Sequence, residues 1–204
     1  VPVMGEFLFV DTETTGLPDK GEYGNAEHPN TPHIVELAAV LCDGSGNEIA
    51  KLHYIIKPDG YVIPDEVSQI HGITTERALA EGVPLWLAMW ELDRLVTRSK
   101  CLVAHNHQFD RLILKGAHYR LGVPYRFREL DKHCTMMSNI KLCSIPRDGG
   151  KGIKWPKLEE LYFFLFSEKM EGAHGALADT QACAKCFFDI RRRNNLPTEP
   201  ASDK

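Results

Sequence analysis

An apolar run that closes on two acids constrains this chain more than anything else in it: Phe7-Leu8-Phe9-Val10 leads straight into Asp11-Thr12-Glu13-Thr14-Thr15-Gly16. Four consecutive apolar residues read as a buried strand inside a sheet. Side chains two apart on a strand share a face, so Asp11 and Glu13 point together at the strand's end. Two carboxylates beside a core repel each other and resist ionisation unless a cation offsets them. A divalent metal is the natural partner.

The chain around this strand has 204 residues, 43% of them hydrophobic, enough to bury the core of one domain but a squeeze for two. The formal charge of −4, from 24 basic and 28 acidic residues, excludes a protein held to nucleic acid by bulk electrostatics. Contact with nucleic acid must then be local or bridged by metal. Six cysteines, several inside apolar runs, point to buried thiols in a reducing compartment rather than a disulfide framework. Cys183 and Cys186 form a CxxC, but within the periodic stretch 180–193 a three-residue step is one helix face, and no second pair completes a zinc site. The start Val1-Pro2-Val3-Met4 has no basic segment followed by an apolar one, and no apolar run approaches ~20 residues. The expectation is a soluble, unexported, cytoplasmic protein without a membrane partner.

Along the chain, the pattern predicts a strand over 6–12 and two more over 34–42 and 48–57. The turn Asp43-Gly44-Ser45-Gly46-Asn47 joins the last two as a hairpin. An amphipathic helix opens at Pro84 and runs to Arg98. Cys101-Leu102-Val103-Ala104 reads as a short central strand, followed after His105-Asn106 by a helix to Leu121 with Asp110 in its first turn. The stretch 146–157, rich in Gly, Lys and Arg, reads as a mobile loop, and helices follow over 157–166 and 176–193. The residues from Asn194 onward form a polar, frayed tail.

In an α/β sheet, strand ends and the first turns of flanking helices converge on one crevice. Asp11, Glu13, Asp110 and Asp179 hold such positions, and His174 lies five residues before Asp179. Hard oxygen ligands without a thiolate favour Mg²⁺ or Mn²⁺. A pair of such ions, with a neutral histidine to take a proton from water, suits phosphodiester hydrolysis.

Four segments then occur in order: Val10-Asp11-Thr12-Glu13-Thr14-Thr15-Gly16-Leu17, His71-Gly72-Ile73-Thr74, His105-Asn106-His107-Gln108-Phe109-Asp110 and His174-Gly175-Ala176-Leu177-Ala178-Asp179. Together they resemble the DnaQ-like (DEDDh) 3′-to-5′ exonuclease superfamily, which includes the proofreading subunit of bacterial DNA polymerase III. The resemblance covers 6–191. It implies an α/β, ribonuclease H-like fold with a mixed five-stranded sheet flanked by helices, forming a domain over 1–194 with a tail over 195–204.

The same resemblance makes Asp11, Glu13, Asp110 and Asp179 the ligands of two Mg²⁺ ions, replaceable by Mn²⁺, with Asp11 bridging both, and His174 the general base. Thr14, Thr15 and Gly16 would contact the terminal nucleotide, Leu17 would wedge against its base, and His71, Ile73, Asn106 and Phe109 would line the 3′ end. The implied activity releases nucleoside 5′-monophosphates from single-stranded or frayed 3′ ends, DNA favoured, in proofreading or repair. Proofreading would need a separate polymerase chain. The alternatives are an RNA-trimming exonuclease or oligoribonuclease, and a catalytically silent nucleic-acid-binding module. Two loops could shape access: 18–32, with Lys20, His28 and Asn30, and the basic stretch carrying Lys151, Lys154 and Trp155. His28, His33, His53, His105, His107, His118 and His133 read as surface or packing residues, and Arg191-Arg192-Arg193 as a solvated helix end.

Overall fold

Apolar residues on both faces of the first strand build the molecule, because each face feeds its own core. The computed structural model describes residues 6–19, 21 and 25–194. Its elements are β1 Phe7–Thr14, β2 Ile34–Cys42, β3 Glu48–Ile55, α1 Asp65–His71, α2 Thr75–Glu81, α3 Leu85–Val96, β4 Cys101–Ala104, α4 His107–Leu121, a 3-10 turn Arg126–Glu129, β5 Asp131–Cys134, α5 Thr135–Ser138, α6 Ile140–Cys143, α7 Leu158–Phe166 and α8 Ala176–Arg193. The strands form one sheet in the order β3-β2-β1-β4-β5. β1, β2 and β3 are antiparallel neighbours, while β4 runs parallel to β1 and to β5. This is the mixed five-stranded sheet flanked by helices that the sequence led us to expect.

On one face Leu8 and Val10 pack with Met89 and Leu92 of α3 and Ile113 and Leu114 of α4. On the other, Phe7 and Phe9 meet Phe187 and Phe188 of α8 at ring separations of 4.9 to 5.6 Å. Each fully buried side chain of this size is worth about 1.5–3 kcal/mol relative to exposure. The aromatic quartet therefore clamps the last helix onto the first strand. The β2–β3 turn is closed by Asp43, whose Oδ1 accepts the N–H groups of Ser45 and Asn47, each at 2.9 Å. No helix among the described residues is long and apolar enough to cross a membrane.

Several elements differ from the sequence reading. β1 continues to Thr14 because β2 keeps pairing with it as far as Thr14–Ile34. β3 stops at Ile55, after which Ile56 makes a lone parallel bridge to Val83. α1, α2 and β5 were not foreseen: the first two are one-to-two-turn helices, and β5 is a polar edge strand, Asp-Lys-His-Cys, of the charged kind that resists further pairing. The stretch 146–157 is stitched rather than open, with Arg147 N–H donating to the Gly152 carbonyl at 3.1 Å and Lys154 N–H to that of Ile145 at 2.8 Å. α8 spans 176–193 as expected. Lys20, Val1–Met4 and the tail over 195–204 lie outside the described residues.

Candidate active site

Pairing between β1 and β4 ends at Phe9–Val103, whereas β2 accompanies β1 to Thr14. The last residues of β1 consequently border a crevice on the β4 side. Asp11 and Glu13 share the face of Phe7 and Phe9, toward α8, and Asp179 joins them from that helix's first turn. One carboxylate oxygen from each of Asp11, Glu13 and Asp179 lies within 4.8 Å of the other two.

Asp110 is outside that triplet. It sits buried in the first turn of α4 and accepts a hydrogen bond from Thr12 Oγ1 at 2.9 Å. Thr12 alternates to the opposite face from Asp11 and Glu13, so Asp110 reaches the strand end from the far side. Its charge is still felt at Asp11.

Burial and mutual repulsion dominate the electrostatics. Burial, then the charges of Asp110, Asp179, Glu13 and Glu36, push the Asp11 carboxyl well above its ordinary range. Burial and the same kind of repulsion, led by Asp179, lift Glu13 to about 8. Burial raises Asp110 to about 7 against the lowering effect of the Thr12 hydrogen bond. Asp179 is raised to about 6 by burial, with His174 opposing the rise through its charge and its backbone N–H. Asp179 Oδ1 is buried without a hydrogen-bond partner. A group of carboxylates this reluctant to ionise, one with an orphaned oxygen, fits a hard divalent cation.

His174 is exposed and occupies a left-handed backbone conformation with φ of 70°. The Thr14 and Thr15 hydroxyls are engaged locally: Thr14 Oγ1 donates to the Gly16 carbonyl at 2.7 Å, and Thr15 Oγ1 accepts from His33 N–H at 3.0 Å. Leu17 stands 75% exposed. His71 Nδ1 accepts from Ile73 N–H at 3.2 Å, and burial lowers its pKa against the opposing effects of the Glu36 charge and the Thr14 carbonyl. Ile73 is buried with Val35, Ile63 and Ala78, so in the free protein it packs the segment rather than presenting surface. Phe109 is half-buried against the α3–α4 core, and Asn106 precedes α4 with φ of 68°. Of the second loop's residues, Trp155 is exposed and Lys154 pairs with Glu160 at 2.5 Å.

Glu36 was not singled out from the sequence, although it lies directly opposite Glu13 on β2. Its signal was present: a lone carboxylate inside Ile34-Val35-Glu36-Leu37-Ala38-Ala39-Val40-Leu41. Every residue of that strand is buried.

The sheet order and the acidic cluster at its open end define an α/β protein of the ribonuclease H-like class. The RNase T exonuclease profile matches residues 8–187, and the chain belongs to that exonuclease family, within the DnaQ-like superfamily. An exonuclease of Escherichia phage 186, CP81, described as uncharacterised, is 33% identical over 177 residues, covering 84% of this chain and 81% of that protein. Exonuclease I of E. coli in complex with a dA16 oligonucleotide superposes with a TM-score of 0.75 at 23% identity, over 93% of this chain. The zinc-bound E. coli exonuclease I–ssDNA complex gives 0.72 at 24%, over 94%. At these identities the structural likeness is one of fold, and this chain spans 41% of each exonuclease I chain.

Proposed function

We propose that this protein is a 3′-to-5′ exonuclease that removes nucleoside 5′-monophosphates one at a time from single-stranded or frayed 3′ ends, with DNA as the favoured substrate. The observation that carries the reading is the convergence of Asp11, Glu13 and Asp179 within 4.8 Å on the open end of β1, with Asp110 at the neighbouring helix start. Asp11, Glu13, Asp110 and Asp179 would hold two Mg²⁺ ions, or Mn²⁺ in their place. When bound, these ions supply an activated water and stabilise charge on the leaving oxygen.

The chain's own residues do the rest. His174, exposed at a left-handed backbone position, takes the proton from that water as its oxygen bonds to phosphorus. The phosphorus–O3′ bond then breaks, and the shortened strand leaves with a free 3′-hydroxyl once O3′ takes a proton from solvent. The turn Thr14-Thr15-Gly16 holds the terminal nucleotide with Leu17 against its base. His71 and Asn106 offer polar contacts, backed by Ile73 and Phe109.

Exonuclease I, the structural neighbour, is seen with single-stranded DNA, which supports the preference for such ends. The polymerase chain expected for proofreading gains no support from the relatives, so the proposal is end-trimming without one. The described cysteines are all free thiols, in keeping with a reducing, cytoplasmic setting. The domain would span 1–194, with 195–204 as its tail.

A gel time course on 5′-labelled DNA and RNA of matched sequence, with Mg²⁺, Mn²⁺ or EDTA and beside Asp11→Ala, tests this. Stepwise metal-dependent shortening of DNA is the expected result. Faster shortening of RNA would favour the RNA-trimming alternative, and no cleavage of either would favour a silent binding module.

A further inference from the structure

α8 carries Asp179 and begins without a cap of its own. Gly175 precedes it with no side chain to offer, so the first N–H groups of the helix need acceptors from elsewhere. One comes from a strand 140 positions away: the Ala176 N–H, fully buried, donates to Glu36 Oε2 at 2.8 Å. The other oxygen of the same carboxylate, Oε1, lies 2.6 Å from His53 Nε2 on β3. Glu36 is only 7% exposed.

A buried carboxylate in an otherwise apolar strand is costly unless both oxygens are occupied. Here each has a partner, and the positive end of a helix faces one of them. The contact lies one step from the candidate chemistry on both sides. Gly175, whose carbonyl accepts the Asp179 N–H at 3.0 Å, is adjacent to the held residue, and His174 is next again. Glu36 also faces Glu13 across the β1–β2 pair. Fixing Ala176 against β2 therefore sets how Asp179 and His174 stand relative to Asp11 and Glu13.

We infer that Glu36, braced by His53, is a positioning residue of the active site: it caps α8 from the sheet and fixes the approach of His174 and Asp179. The inference rests on the exonuclease reading above. Glu36 touches neither substrate nor the reacting atoms, so its loss acts on turnover more than on substrate affinity. Removal of a group that orients a metal ligand characteristically costs ~10–100-fold in activity or metal affinity.

The test compares Glu36→Ala, Glu36→Gln and His53→Ala with wild type, reading kcat and KM on single-stranded DNA with Mg²⁺. Amide hydrogen exchange at Ala176 is followed in parallel in EDTA, with circular dichroism to establish folding. In Glu36→Ala, kcat should fall ~10–100-fold with KM within about threefold, and the Ala176 amide should lose protection without metal. Glu36→Gln should recover most of both, because its amide oxygen can accept the same N–H. His53→Ala, at a half-exposed position that the fold tolerates, should fall between them and decides the matter if Glu36→Ala does not fold. Wild-type kcat in a folded Glu36→Ala, or wild-type kcat and exchange in His53→Ala, overturns this inference alone. A wild-type protein that degrades nothing overturns both it and the exonuclease reading.

Discussion

Replacing Glu13 by Gln separates the electrostatic cost of the acidic cluster from its chemistry. In the metal-free protein Glu13 is lifted from 4.5 to about 8, first by burial and then by the charges of Asp179, Glu36 and Asp110. Its folded-state value lies above its unfolded one. Stability from this group is thus fully present below about pH 4.5 and is lost as pH rises through about 8. The shift corresponds to about 5 kcal/mol, and screening by solvent at a partly exposed carboxylate reduces this to about 2–3 kcal/mol. Gln cannot ionise and escapes the loss. In EDTA at about pH 9, Glu13→Gln should melt higher than wild type by roughly 5–10 °C, taking 2–4 °C per kcal/mol for a domain of this size. At about pH 4 both proteins are neutral there and should melt together. Mg²⁺ should raise the wild-type midpoint at high pH and narrow the gap, while the variant loses turnover. Scanning calorimetry at the two pH values reads all of this. A Glu13→Gln midpoint at or below wild type at high pH would show that the cluster is not strained in the metal-free fold, and would refute the reasoning.

Asp11→Ala and Asp179→Ala should abolish mononucleotide release and weaken Mn²⁺ binding by calorimetry. His174→Ala should lower kcat by ~10²–10⁴ and spare metal binding; wild-type rates in any of the three would contradict the assigned roles. Phe187→Ala empties the centre of the aromatic quartet and should cost about 3–5 kcal/mol in urea denaturation, so a loss under 1 kcal/mol would mean that α8 is not clamped there. Cys134 should be alkylated first by iodoacetamide near neutral pH, as read by peptide mass spectrometry. Burial raises its pKa, but hydrogen bonds from His107 and from the backbone N–H groups of Met137, His107 and Asn106 outweigh that and hold it at about 7. Cys42, Cys101 and Cys186 are pushed up to about 12 by burial, and preferential labelling of any of them would sink the prediction.

What could be read from the residues followed from periodicity and from chemistry out of place. Phe7 to Glu13 declared a buried strand with an acidic end, and the apolar spacing after Ala176 announced a helix over about 176–193, where α8 lies. β5 was illegible because an edge strand needs no apolar face: Asp131 and Lys132 are exposed, and hydrogen bonds to β4 alone define it. α1 and α2 are too short for a period to emerge and depend on Ile63, Ile73 and Ala78 meeting Val35 of β2. At the site, Asp110 was legible as a helix-start carboxylate, but its position across the strand from Asp11 depends on where β4 parts from β1. Glu36 was missed for the opposite reason. One charge in an otherwise apolar strand reads as noise until its partners, Ala176 and His53, are seen.

The aromatic quartet has a consequence for how the protein is made. Asp11 and Asp179 are 168 positions apart (179 − 11), and a ribosome adding about 5–20 residues per second needs roughly 10–30 s to pass from one to the other. The sheet can be completed only after β5 is made, and from then until α8 follows, Phe7, Phe9, Val40 and Val103 lack the Phe187 and Phe188 that cover them. On the proposed assignment the nascent chain is then inert, because the carboxylate triplet lacks a member, and it is sticky, because one side of its sheet is bare. Arrival of α8 ends both conditions at once, so the fully covered protein and the complete triplet come into being in a single step.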